Sequence, residues 1–315
     1  MKIVHSLHEI HFDKNSVVTI GTFDGVHRAH KIIFDKLVNR AKAISGRSIL
    51  ITFEPHPREI VSKEKKIDLL STFEEKLQRI EKSGIDYVFV IPFSYEFSRK
   101  SYSEFYLEYI INGVGVSVVI EGHNHHLGKD REGGMNQIVE LGKKYNFSVE
   151  TISLLKIEEH VVSSSTIRKM LLEGDVKTAN VLLGYEYSFT GVVVRGHGRG
   201  RQLGYPTANI KLHNEKKLIP KVGVYAVKIL VQGIWFDGMM SIGKLPTFYD
   251  NHELTTEVNI FNFDEDIYDE TVTVNIIDFM RDQLKFSSVD ELVQEMGKDK
   301  IKTQNILKSY TFINQ

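Results

Sequence analysis

Val17-Val18-Thr19-Ile20-Gly21-Thr22-Phe23-Asp24-Gly25-Val26-His27-Arg28-Ala29-His30 decides the fold of the first half of this chain. A short β-branched run breaks at a glycine turn and gives way to a helical pattern from His30. A run so short and so apolar suits a strand covered on both faces. At such a turn an α/β sheet offers backbone N–H groups and the positive end of a helix to a phosphate. Gly21, Phe23, Asp24 and Gly25 are therefore candidate phosphate-binding positions. His27 and His30 are candidate catalytic groups, able to stabilise charge that develops as pyrophosphate leaves a nucleotide. The alternative for this stretch alone is a glycine turn carrying two solvent-exposed histidines.

The same alternation continues downstream. Further strands are expected at 49–53, 87–91, 116–121 and 148–152, with helices near 30–44, 72–83, 103–111 and 135–145. Strands alternating with helices imply a parallel sheet covered on both faces. Gly46 and Gly84 stand just past two of the helices, where a left-handed cap is wanted. Helices at 166–173 and 176–183 close the unit, stopped by Gly174 and Gly184. After Gly184 the texture changes. Strands at 187–194, 222–231, 235–242, 255–261 and 271–280 follow one another without long helices, which suggests a small antiparallel barrel or sandwich. Ser288-Val289-Asp290-Glu291 reads as a capping box opening a last helix. Two domains result, 1–184 and 185–315, as a length of 315 residues leads one to expect.

Composition removes several function classes. Lys and Arg number 40 against 41 Asp and Glu, a net charge of −1. That balance carries no footprint for bulk binding to nucleic acid or an acidic membrane. Zero cysteines exclude a disulfide framework, a thiolate metal site and a cysteine nucleophile, and fit a reducing cytoplasm. No apolar signal region opens the chain and no window is apolar enough to span a bilayer, so a soluble cytoplasmic protein is expected. The histidines at 5, 8 and 11 and at 123, 125 and 126 lack the acidic or cysteine partners of a zinc pattern.

Three further stretches carry chemistry. Thr52-Phe53-Glu54-Pro55-His56-Pro57 ends the second strand. Ser163-Ser164-Ser165-Thr166-Ile167-Arg168 is a hydroxyl-rich helix start with an arginine, so Ser164 and Arg168 are candidate phosphate ligands, although a plain Ser N-cap is the alternative. The third runs Gly196-His197-Gly198-Arg199-Gly200-Arg201-Gln202-Leu203-Gly204-Tyr205-Pro206-Thr207-Ala208-Asn209. Its glycine N–H groups can wrap an anion and its arginines add charge, though it has neither Walker A nor dinucleotide-fingerprint spacing. Thr207 and Asn209 share one side of an extended stretch and offer hard oxygen ligands of the kind Mg²⁺ accepts. Thr255, Glu257 and Asn259 share a strand face, where Glu257 read alone is an outward residue.

Together these stretches resemble the bacterial bifunctional riboflavin kinase/FAD synthetase family over nearly the whole chain. The resemblance implies a Rossmann-like, parallel-sheet nucleotidyltransferase domain followed by a small antiparallel β-barrel riboflavin kinase domain with a terminal helix. The superfamily signature HxGH falls on His27-Arg28-Ala29-His30, with Ala29 in place of glycine. The ISSTxIR-type signature falls on 163–168, with Ser165 in place of threonine. Where the family has G-x-D-F-x-F-G, this chain has Gly122-His123-Asn124-His125-His126-Leu127-Gly128, which leaves Asn124 as the candidate flavin contact. GRxLGxPTAN is matched without exception from Gly200 to Asn209.

By that resemblance Thr207 and Asn209 hold the Mg²⁺–nucleotide, and Gly196, Gly198, Arg199 and Gly200 cover phosphate. Glu257 is the base for the ribityl 5′-hydroxyl, a poor nucleophile until its proton is accepted. Arg281, with Lys285-Phe286, matches R-x-x-x-K-F and is a candidate flavin contact. The implied substrates are riboflavin, FMN and ATP, with no nucleic-acid or membrane partner. Two alternatives stay open: a monofunctional riboflavin kinase with a degenerate first module, and a non-catalytic flavin- or nucleotide-binding regulator.

Overall fold

The computed structural model describes residues 1–61, 68–122, 135–196, 199–244 and 254–313. By internal contacts the chain divides into two compact units, Met1–Ser164 and Ser165–Gln315.

The first unit runs β1 (Lys2–Val4), β2 (Ser16–Ile20), α1 (Arg28–Ala43), β3 (Arg47–Glu54), α2 (Pro57–Val61), α3 (Phe73–Glu81), β4 (Tyr87–Pro92), α4 (Tyr95–Ser98) and α5 (Tyr102–Phe105). A π-helix (Tyr106–Val114), β5 (Val118–Gly122), α6 (Met135–Tyr145), β6 (Ser148–Ile152) and a small hairpin, β7 (Lys156–Ile157) with β8 (His160–Val161), complete it. Six strands form one parallel sheet in the order β1-β4-β3-β2-β5-β6. The chain leaves β2 for β3 and β4 on one side and returns to β5 on the other. The strand order thus reverses at β2/β5, and the crevice beyond their C-terminal ends is where such sheets take ligands.

Alternation along β2 decides which core each side chain enters. Val18 and Ile20 join Ile49, Ile51, Phe89 and Tyr106 on one face, while Val17 joins Leu50, Val88, Phe34 and Leu37 on the other. The expected central strands are all present. Strand β1 was not expected: three residues carry too little periodicity, and only pairing with β4 makes them a strand. The helix expected at 103–111 is instead α5 followed by the π-helix, which ends at Gly115 with φ 81°. Gly84 does adopt the left-handed cap (φ 73°), but after α1 it is Ser45 that does so (φ 51°). Gly46 is needed there for another reason: a Cβ would overlap the Asn15 carbonyl oxygen.

The helix α7 (Ser164–Glu173) begins at the division between the units and leads into α8 (Val176–Leu183). The second unit continues with β9 (Ser188–Val194), α9 (Arg199–Gln202), β10 (Ala208–Leu212), β11 (Gly223–Val231), β12 (Ile234–Lys244), β13 (Leu254–Ile260), β14 (Thr271–Arg281) and α10 (Val289–Lys308). Its strands form a closed antiparallel barrel, β10-β13-β12-β11-β14-β9. The division falls earlier than the change of texture at 184, because α8 is tied to the barrel. Asn180 Nδ2 donates to Ile276 O at 2.9 Å, and Tyr187 N donates to Asn180 Oδ1 at 2.7 Å.

Residues Val224 and Ala226 of β11 pack with Met239, Ile277, Met280 and Leu307 of α10, so the terminal helix covers one barrel face. Ser288 caps α10 by accepting from Glu291 N at 3.2 Å. The expected box is only half formed, since the Glu291 carboxylate bonds Ser287 N and Oγ instead.

Candidate active sites

In the first unit the site grows from the end of β2. Gly21 N still pairs with Ile51 O at 3.0 Å, after which Phe23 (φ 50°), Gly25 (φ 81°) and Val26 (φ 35°) turn the chain. A Cβ on Gly21 would stand 2.9 Å from the Phe23 ring, so the ring requires glycine there. Asp24 is buried, and its carboxylate accepts from Leu70 N at 3.0 Å and Ser71 N at 3.1 Å. Gly25 N donates to Ser71 Oγ at 3.0 Å, and Ser164 Oγ donates to Asp24 O at 2.9 Å. The second motif joins here as well, through Thr52 Oγ1 donating to Thr22 O at 3.3 Å.

The turn ends at His27, which N-caps α1 and accepts from Lys31 N at 3.1 Å. His27 is buried and stacks on His30, with ring centroids 3.6 Å apart at 17°. The Phe23 ring meets His30 edge-on at 5.2 Å. The reading of two solvent-exposed histidines is therefore set aside. Burial, and then the neighbouring His27, hold the His30 pKa well below the usual histidine value, so its imidazole is neutral near pH 7. Arg168 lies one turn into α7 from Ser164, on the same helical face.

In the barrel the site is built where β10 begins. Asn209 is in register with Val194 of β9 and with Glu257 of β13. Thr207 Oγ1 donates to Glu257 Oε2 at 3.3 Å across the strands. Glu257 is half-buried between the buried Thr256 and Val258, and on its own face of β13 it meets the Thr207–Asn209 stretch. A Cβ on Gly196 would overlap the Asn209 carboxamide, so that amide lies directly against the Gly196 backbone. A Cβ on Gly200, in α9, would overlap the Tyr205 carbonyl oxygen and stand 3.2 Å from Thr207 Oγ1. The Thr207 hydroxyl and the Glu257 carboxylate thus meet beside a glycine-rich bend, with the Asn209 carboxamide in the facing register position, a donor set suited to a small hard cation carrying phosphates.

Arg281 ends β14 and is held by Asp299 of α10: Nε is 3.0 Å and Nη2 2.6 Å from Oδ2, while Nη1 donates to Asp282 O at 2.9 Å. Asn124 and Gly198 lie outside the described residues, and Arg199 is described only as the start of α9. Two further residues shape the sites without having been singled out. Ser71 is 46 positions from Gly25, and nothing local signals the contact. Asn259 Nδ2 donates to Pro206 O at 2.7 Å and fixes the entry to β10; its place on the Glu257 face was the available clue.

The profile of the FAD synthetase family matches residues 9–166, and that of the riboflavin kinase family matches residues 183–307. A protein of Listeria monocytogenes named bifunctional riboflavin kinase/FMN adenylyltransferase is 36% identical over 96% of this chain and 98% of its own. The protein of that name from Bacillus subtilis is 35% identical over 95% of this chain and 96% of its own. Among solved structures, one from Streptococcus pneumoniae described as a macrolide-efflux protein superposes with a TM-score of 0.86 at 31% identity, covering 96% of this chain and 98% of that one. No helix among the described residues of this chain is long and apolar enough to cross a membrane.

Proposed function

The chain belongs to the bifunctional riboflavin kinase/FMN adenylyltransferase family, and we propose that its two units divide the two reactions between them. The barrel phosphorylates riboflavin with ATP, giving FMN and ADP. The parallel-sheet unit transfers AMP from ATP to FMN, giving FAD and pyrophosphate. The observation that carries the kinase assignment is the Thr207–Glu257 hydrogen bond, which puts a carboxylate at the hydroxyl that leads into β10, with Asn209 opposite Glu257 in the strand register.

In the barrel, Glu257 accepts the proton of the ribityl 5′-hydroxyl as that oxygen attacks the γ-phosphorus. The Thr207 hydroxyl orients the carboxylate. Thr207 Oγ1 and Asn209 Oδ1 would hold Mg²⁺, which when bound neutralises charge on the phosphates. Their fit rests on hard, uncharged oxygens lying against glycine backbone, where a phosphate-bound cation needs few protein ligands. The bend with Gly196, Gly198, Arg199 and Gly200 covers the phosphates. Arg281, already oriented by Asp299, and Asn124 are assigned to the flavin in the two units respectively.

In the parallel-sheet unit, Gly21, Phe23, Asp24 and Gly25 shape the turn that receives the nucleotide phosphates, its own Gly21 and Gly25 N–H groups being held by Ile51 O and Ser71 Oγ. His27 and the neutral His30 donate N–H bonds to the oxygens that gain charge as the α-phosphorus is attacked. Ser164 and Arg168, at the start of α7, bind the phosphates. We propose a cytoplasmic setting, supported by the ATP that both reactions consume.

The purified protein incubated with riboflavin or with FMN, each with ATP and Mg²⁺, and resolved by chromatography tests this directly. FMN from riboflavin and FAD from FMN are expected. FMN without FAD would leave only the kinase, and no product from either flavin would overturn both assignments.

A further inference from the structure

Lys76, on α3 of the first unit, is 6% exposed. Its Nζ lies 3.3 Å from Thr52 Oγ1, 3.5 Å from Phe53 O and 3.5 Å from Thr22 O. Thr52 Oγ1 itself donates to Thr22 O, so one ammonium and one hydroxyl bind the end of β3 to the first residue after the glycine that leaves β2. The Phe73 ring lies 5.2 Å from the ammonium. Burial lowers the Lys76 pKa, while the carboxylates of Glu54 and Asp24 oppose that shift. Among the described residues none of its hydrogen bonds is to a carboxylate.

A buried ammonium whose hydrogen bonds are all to neutral oxygens, with the Glu54 and Asp24 carboxylates offsetting only part of its desolvation, is a costly packing element, since an apolar side chain of the same length fills such a site without that cost. Its position suggests another use. In a trans peptide the C=O and N–H point in opposite directions. Holding Thr22 O toward Lys76 therefore aims the Phe23 N–H away from it, within the turn that precedes the His27–His30 pair. The charge also sits directly behind a turn that must receive a polyphosphate, where a low dielectric strengthens its field.

We propose that Lys76 is a positioning residue for adenylyl transfer, holding the Thr22–Phe23 peptide and placing positive charge behind the phosphate-binding turn. This rests on the assignment of FAD formation to the first unit. It adds to the histidine pair a group more than forty residues further along the chain that acts through the backbone.

The test uses the full-length chain as wild type, K76M and T52V. FAD formation from FMN is measured with ATP and FMN varied separately, alongside FMN formation from riboflavin and thermal unfolding. For K76M, kcat for FAD formation is expected to fall roughly 100-fold, the scale of a small misplacement in a preorganised site. The KM for ATP is expected to rise and the KM for FMN to stay constant, with the kinase rate and the unfolding temperature kept. T52V, which removes the shared hydroxyl, should shift the KM for ATP in the same direction and by less.

Full FAD formation by K76M overturns the proposal. So does a loss of rate with both KM values unchanged, matched by loss of folded protein, because that is the mark of a packing role. If wild type forms no FAD, the functional assignment fails first. Titration with ATP then decides Lys76, and equal affinities in wild type and K76M overturn it.

Discussion

The imidazoles of His27 and His30 stack at 3.6 Å where α1 begins, and the Nδ1 of His30 is buried with no hydrogen-bond partner among the described residues. A proton on His30 has no compensating acceptor there and faces a second imidazole. The folded-state pKa is therefore depressed below 6.5, while the unfolded chain keeps the ordinary value. Between those two values the unfolded state binds more protons, so stability rises with pH through that window. It is fully present above about pH 6.5 and is lost as pH falls, by up to about 1.4 kcal/mol per pH unit. Urea unfolding from pH 7.5 to 5 should show this slope in wild type and a shallower one in H30N. Equal slopes would remove His30 as its source.

Replacing Glu257 by Gln keeps an acceptor for the Thr207 hydroxyl but removes the base. FMN formation from riboflavin should fall by about 100-fold or more. FAD formation from added FMN should be unchanged, because His27, His30 and the phosphate turn belong to the other unit. Chromatographic assay of both products decides it, and undiminished FMN formation would show that the base lies elsewhere.

Gly200 has no room for a methyl group beside Tyr205 O and Thr207 Oγ1. G200A must move either the α9 turn or the strand entry that presents Thr207. A rise of about tenfold in the KM for ATP of the kinase reaction is expected, on the scale of a lost charge-assisted phosphate contact. Steady-state kinetics with riboflavin saturating would read it, and an unaltered KM would mean that the bend does not cover the nucleotide.

The Arg281–Asp299 pair joins the end of β14 to α10, with side-chain exposures of 20% and 6%. D299A leaves a mostly buried guanidinium without its carboxylate and should cost about 3 kcal/mol. The midpoint of urea unfolding of the barrel would fall accordingly. A change below about 0.5 kcal/mol, the range of ordinary surface substitutions, would count against the pair as a fastener of the terminal helix.

Much of both units was legible because local chemistry repeats at short range. β-branched runs broken by glycine marked the central strands, and the change from alternating helices to successive strands marked the barrel. The stretch 200–209 put Thr207 and Asn209 on one side by alternation alone, and β10 begins inside it. The Glu257 assignment was different. Alternation put it on a face with Asn259, but only the register of β10 against β13 brought Thr207 to its carboxylate.

What the sequence by itself determined is the central parallel strands, the longer helices, five of the six barrel strands and the residues carrying charge, hydroxyl and imidazole, since periodicity and turn chemistry act over a few neighbours. Tertiary structure alone decided which distant groups meet: Ser71 under Gly25, Ser164 on Asp24, Lys76 behind Thr22, Asp299 on Arg281. It also decided that Ser45 rather than Gly46 takes the left-handed turn. The physical reason is the same in each case. Burial and hydrogen-bond satisfaction are settled between segments far apart in the chain, and no local pattern records them.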